Sequence, residues 1–195
     1  MYYLLESIDK YANTASVYGA FLKKLKRTAQ NNLILKPAEL IINEQYHEVF
    51  NEDINEVAKK VSGDILYLDP PYNHRQYATN YHLLETIAKY DNPKIHGKTG
   101  LREYQNQKSL YCSRTQVKKA FKDLILKAKA KYIFLSYNNE GLMTSDDIKE
   151  IMSLRGKYGH FTKEYSRFKA DRDENRDHKT NKTTEYLHYV VCKKL

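Results

Sequence analysis

Apolar residues recur along this chain with two different periods, and the switches between them divide it into elements. In residues 2–12 and 15–28 they return every three or four positions. In the second segment Val17, Phe21, Leu22 and Leu25 form one stripe while Lys23, Lys24, Lys26 and Arg27 occupy the rest, so two helices are expected, the second with an apolar and a basic face. Residues 33–35 and 46–50 read as short extended segments. Residues 54–61 follow Asp53 as a helix, and Gly63-Asp64 turns the chain into Ile65-Leu66-Tyr67-Leu68. That uninterrupted apolar run between Gly and Pro predicts a strand of a parallel sheet, buried on both faces. Residues 82–90 suit a helix that stops before Asn92-Pro93, and 94–104 a polar loop with Gly97 and Gly100. A long helix is expected over 115–130, where Val117, Phe121, Leu124, Ile125 and Ala128 share one side. A second buried strand follows at 132–136, then a helix at 145–154, capped by Ser145 with Asp146 and Asp147 in its first turn. Residues 161–168 and 184–192 alternate, which predicts an antiparallel pair at the sheet edge joined by the charged stretch 169–183.

Strand, helix, strand, helix and hairpin in succession predict an α/β fold, the second part of a doubly wound, Rossmann-like sheet ending in an antiparallel β-hairpin. Ligands in such sheets bind at the carboxyl ends of the strands, and Asp69 stands at one. Nothing repeats and no Gly/Ser-rich or Pro-rich linker divides the 195 residues, so a single domain is expected, with 1–45 as a helical segment and 46–195 as an α/β core. Lys and Arg outnumber Asp and Glu by 33 to 24, a net charge of +9 spread along the chain, which favours a polyanionic partner. Any single Lys of the early helices is better read as part of a solvated helix face. Cys112 and Cys192 lack metal-ligand or redox spacing, as do the seven histidines, so neither a disulfide framework nor a metal site is expected. With no leader and no membrane-length apolar run, the expectation is a soluble, cytoplasmic protein.

The candidate chemistry sits at Asp69-Pro70-Pro71-Tyr72. The Asp carboxylate can accept a hydrogen bond from an exocyclic amine, and the Pro70 carbonyl supplies a second acceptor whose direction is fixed by two consecutive restricted φ angles. Tyr72 offers a π-face to a base swung out of its stack. Asn73, Tyr137 and Asn138 end or follow the two central strands and are candidates for the wall of a base pocket, although Tyr137 to Gly141 also reads as a polar turn. His74, Arg75, Lys98 and Arg102 carry groups suited to phosphates and base edges, as do Lys23, Lys24 and Arg27.

Residues 69–73 and the stretch behind them to Arg102 resemble the catalytic region of the bacterial DNA adenine-N6 methyltransferases that use S-adenosyl-L-methionine, and the similarity extends through 12–26 and 132–143. The resemblance implies a site-specific enzyme that methylates the N6 amine of an adenine flipped from double-stranded DNA, in restriction-modification or host marking. Asp69 and the Pro70 carbonyl would hold the amine, Pro71 would shape the loop and Tyr72 would stack on the base. It also implies that Asp53 and Ile54 help bind the cofactor together with Asp69, while Asp53 is equally suited to be a helix N-cap. Phe168 or Tyr165 would pack on the target base, although alternation alone turns one of them inward. Residues 1–45 fall where this family places target recognition. Cytosine-N4 methylation is the neighbouring alternative, and Asp rather than Ser at position 69 favours adenine. Such enzymes carry a Phe-x-Gly-x-Gly cofactor loop upstream, and this sequence, with seven glycines, has no Gly-x-Gly. The chain therefore reads as the C-terminal portion of such an enzyme. Two further readings follow: an inactive remnant acting at most as a DNA-binding module, or one subunit of a split enzyme completed by an upstream-encoded polypeptide.

Overall fold

A computed structural model of the chain describes residues 2–14, 17–20, 22–37, 39, 42–166 and 182–193. In chain order its regular elements are α1 (Tyr2–Tyr11), α2 (Ile54–Lys60), β1 (Ser62–Leu68), α3 (Tyr77–Asn80), α4 (His82–Lys89), α5 (Val117–Lys127), β2 (Lys129–Asn138), α6 (Ser145–Ser153), β3 (Gly156–Ser166) and β4 (Lys182–Cys192). The described residues form two compact units, one from Met1–His47 with Arg75–Lys108, the other from Glu48–His74 with Ser109–Leu195.

The second unit is a mixed α/β structure on a four-stranded sheet of order β1-β2-β4-β3. β1 and β2 run parallel, and β4 is antiparallel to both its neighbours. Leu68 lies opposite Leu135, and Leu135 opposite His188, so these residues share one face with Ile133, Tyr137 and Val190. That face is closed by Phe121, Leu124 and Ile125 of α5 with Ile148 and Met152 of α6, which together make the core. Truncating a residue such as Phe121, fully buried here, costs about 3–5 kcal/mol in well-packed interiors. The opposite face carries Ile65 and Tyr67, 65% and 60% exposed, and Phe161, 61% exposed. β1 is therefore a parallel strand as expected but is covered on one side only. Within this unit α5 and α6 pack on the other face, and β1 ends the sheet with no described strand beyond it.

Other expectations are corrected by local competition. Over 15–28 the described residues form turns and bends, and the only helical turn is the 3-10 turn Thr28–Gln30. Here side chains bond the backbone in place of a helical ladder. The Asn13 Oδ1 accepts from the Lys26 N–H at 2.9 Å, the Asn13 Nδ2 donates to the Leu22 carbonyl at 3.4 Å, and the Thr14 hydroxyl donates to the Val17 carbonyl at 2.7 Å. Phe21 lies outside the described residues. Neither 33–35 nor 46–50 is a strand; no described strand pairs with them. The cap of α6 is Thr144, not Ser145: its hydroxyl accepts from the Asp147 N–H at 3.1 Å and the Asp147 carboxylate accepts from the Thr144 N–H at 2.9 Å, a reciprocal capping box. The hairpin of β3 and β4 forms, with β3 starting at Gly156, and its connection, 167–181, lies outside the described residues.

In the first unit, the two ring nitrogens of buried His82 face the carbonyls of Thr79 and Thr99 at 2.9 and 2.8 Å, which fastens the start of α4 to the 97–100 turn. Gly97 and Gly100 have φ of 68° and 67°, a conformation that favours glycine, and they close the turn between the bridged residues His96 and Leu101. No described helix is long and apolar enough to cross a membrane.

Candidate active site

The carboxyl end of β1 opens into a cavity of about 300 Å³, lined by Ile54, Tyr67 to Pro71, Ser109, Tyr111, Phe121 and Leu124. Its walls are mostly apolar, with the exposed Asp69 as the charged group. The location follows from chain direction: β1 ends at Leu68, and Pro70 and Pro71, having no N–H to give, cannot extend the ladder. The next residues turn over the sheet as a half-buried loop.

The opposite wall is α2. Asp53 caps this helix, its carboxylate accepting from the Asn55 N–H at 2.8 Å, so that Ile54 opens the helix at the cavity rim. Asn55 then laces α2 to its neighbours. Its amide donates to the Ala120 carbonyl at 2.9 Å and to Asp123 at 3.0 Å, and its oxygen accepts from the Tyr111 hydroxyl at 2.9 Å. Burial, with Asp53 and Asp123 nearby, pushes the Tyr111 phenol well above its ordinary range, so it remains a neutral donor. Tyr111 and Ser109 were not legible as cavity residues: they lie some forty positions after Asp69-Pro70-Pro71-Tyr72, and only tertiary packing brings them to the cavity.

Tyr72 is half-buried, with its ring edge-on to that of Tyr137, at a centroid distance of 6.1 Å and an interplanar angle of 78°. Tyr137, expected at the wall of a base pocket, is 2% exposed, and burial raises its phenol pKa. Asn138 is also buried; its side chain accepts from the Glu140 N–H at 3.0 Å and shapes its own turn. Asn139 bonds β4 through Thr184, at 3.1 Å in both directions. Asn73 is half-buried in the loop after Tyr72. Tyr165 is about half exposed with the Lys163 ammonium 4.9 Å above its ring, and Phe168 lies outside the described residues.

Of the expected DNA-contacting cations, Lys23, Lys24, Arg27, His74, Arg75 and Lys98 are exposed. Arg102 is not a surface cation. It is buried, with a two-pronged ion pair to Asp91 at 3.1 and 2.5 Å and a bond to the Thr86 hydroxyl at 3.3 Å, and it holds the Asp91 carboxyl below the usual carboxylate range. Among the described residues no cluster of His, Cys, Asp and Glu is placed to hold a metal ion.

An acidic residue and two prolines thus end a parallel strand beside the cavity. Residues 1–151 match the model of the D12 class N6 adenine-specific DNA methyltransferases, and the chain belongs to that family. It is 57% identical over 187 residues to the type II methyltransferase M.NlaIII of Neisseria lactamica, an alignment covering 96% of this chain and 55% of that protein. Similarity also extends to M.FokI of Planomicrobium okeanokoites, 41% identical over 96% of this chain and 29% of the relative, and to M.CviAII of Paramecium bursaria Chlorella virus 1, 37% identical over 96% and 55%. The chain thus spans about half the length of M.NlaIII and M.CviAII. No solved structure matches it significantly.

Proposed function

We propose that this chain carries the catalytic centre of a DNA methyltransferase of restriction-modification type, which moves a methyl group from S-adenosyl-L-methionine to the N6 amine of an adenine flipped out of double-stranded DNA. The observation that carries this reading is Asp69-Pro70-Pro71 at the mouth of the cavity beside Ile54, in a chain of the D12 family. An adenine amine is a poor nucleophile because its lone pair is delocalised into the ring. Two acceptors on its hydrogens, the Asp69 carboxylate and the Pro70 carbonyl, favour the pyramidal nitrogen of the transition state over the planar ground state. Tyr72 offers its ring to the base, with Pro71 fixing the loop between.

The cavity fits the nucleoside part of the cofactor: apolar walls from Ile54 and Leu124 suit a flat heterocycle, and its volume lies at the lower end for ligand sites. The bound cofactor supplies an electrophilic methyl on a sulfonium. The Asp69 carboxylate and Pro70 carbonyl would hold the accepting amine toward that methyl, the cofactor would leave as its neutral thioether, and the extra amine proton would pass to solvent. Asp53 has its carboxylate engaged at the α2 cap, so we assign it the indirect part of presenting Ile54. Lys23, Lys24, Arg27, His74, Arg75 and Lys98 are proposed to meet the DNA backbone. A doubly wound sheet completed by segments outside these 195 residues, on the same polypeptide or another, is the architecture we propose for the whole enzyme. Its support is the share of the relatives that this chain spans and the uncovered β1.

The test combines calorimetric binding of S-adenosyl-L-methionine with tritiated-methyl transfer to unmethylated DNA, using the chain and its Asp69→Ala variant. Transfer into N6-methyladenine that drops about a hundredfold or more in the variant is expected. Transfer unaffected by the substitution would overturn the assignment of Asp69.

A further inference from the structure

We propose that Tyr137 and Gly141 are positioning residues for methyl transfer: the turn after β2 grips the Tyr72 backbone from beneath and sets the tilt of the ring on which the target base would lie. The proposal rests on the reading of Tyr72 as the stacking residue. The Tyr72 carbonyl accepts from the Leu142 N–H at 2.8 Å and from the Tyr137 hydroxyl at 3.4 Å. The same phenol oxygen accepts from the Met143 N–H at 3.3 Å, so it ties the catalytic loop to the turn at a second point. The Tyr137 ring meets the Tyr72 ring edge to face, the orientation in which aromatic quadrupoles attract.

Gly141 makes this contact sterically feasible. A Cβ built there would lie 2.1 Å from the Tyr137 Cε1 and 2.6 Å from its Cζ, far inside contact distance. Gly141 is not among the glycines with positive φ, so backbone conformation does not demand glycine here; the space under the turn does. Tyr137 is 2% exposed and cannot itself meet a base. Its influence passes through Tyr72, and from there through Pro71, whose φ is restricted, to the Pro70 carbonyl. A clamp with little freedom matters because a displacement of about 1 Å in a reacting group costs about a hundredfold in rate.

Tyr137→Phe removes the hydroxyl and keeps the ring, and Gly141→Ala forces the ring to move. Both are made in the 195-residue chain and compared with wild type by amide hydrogen exchange and by methyl transfer to long unmethylated DNA. In Tyr137→Phe, exchange at Leu142 and Met143 should accelerate while the core strands exchange as in wild type. The kcat should fall about tenfold with KM for S-adenosyl-L-methionine within about twofold, and Gly141→Ala should fall further, about a hundredfold. Unchanged exchange at both amides overturns the clamp. Faster exchange with unchanged kcat overturns its catalytic role, as does a KM that rises together with a general loss of stability. A wild-type chain that transfers no methyl group even when joined to the segments that complete the sheet sinks the methyl-transfer reading instead, and the exchange comparison then decides the clamp alone.

Discussion

His188 is buried on the core face of β4, with the Tyr158 hydroxyl 2.7 Å from its Nδ1 and the rings of Tyr186 and His160 against it. Burial, and to a lesser degree the charge of His160, pushes its imidazole from an ordinary 6.5 down to about 4. The folded state therefore refuses a proton that the unfolded state accepts. Above pH 6.5 this costs nothing; between about 6.5 and 4 the native state loses stability as pH falls, by on the order of 2 kcal/mol. Thermal melts from pH 7.5 to 4 should show this loss, and a His188→Phe variant, which keeps a ring but binds no proton, should show a flatter profile over that window. Equal slopes would mean that His188 does not take part. The sequence yields the histidine and its strand but not its burial, because that depends on register across three strands. Arg102 makes the same point in reverse. Next to Lys98 and Gly100 it reads as a surface cation, and only the fold reveals Asp91 as its partner. Asp69 to Tyr72 needed no fold to be noticed as a candidate, since the motif is four consecutive residues.

Periodicity located α2, α4, α5, α6 and all four strands, because each has an apolar stripe or run that a core must bury. It failed over 15–28, where the stripe is equally good but Asn13 and Thr14 offer the backbone other partners. The α6 cap was readable in principle: counting three residues on from Thr144 finds Asp147, whereas from Ser145 it finds Ile148. Nothing in the sequence shows how α2 is attached to α5, since Asn55 and Asp123 are 68 positions apart. Asn55→Ala removes that lacing and leaves the buried Tyr111 hydroxyl without its acceptor. A destabilisation of about 1–3 kcal/mol is expected in denaturant unfolding. Because α2 presents Ile54 to the cavity, affinity for S-adenosyl-L-methionine should fall severalfold in calorimetry at a temperature where the variant is folded. Lost stability with unchanged affinity would remove α2 from the binding site.

For the molecule as a whole, the face of the sheet away from α5 and α6 governs behaviour in solution. Ile65, Tyr67, Tyr132, Phe161 and Val191 all point to that face and all are exposed. β1, at the end of the sheet, presents backbone groups that no described strand pairs. An apolar patch beside an open strand edge is a surface that acquires a cover, from further segments of its own fold or from another molecule. The chain spans only about half of M.NlaIII, and a second copy is one cover within reach of these 195 residues on their own. Sedimentation velocity of the chain should therefore show association that grows with concentration, and the double substitution Ile65→Lys and Phe161→Lys should shift it toward monomer. Both positions lie opposite the core, so the helical content of the variant should match the wild type by circular dichroism. The net charge of +9 opposes association through mutual repulsion, so raising salt should strengthen self-association if apolar burial drives it. A wild-type chain that remains monomeric at high protein concentration and high salt would show that this face needs no cover.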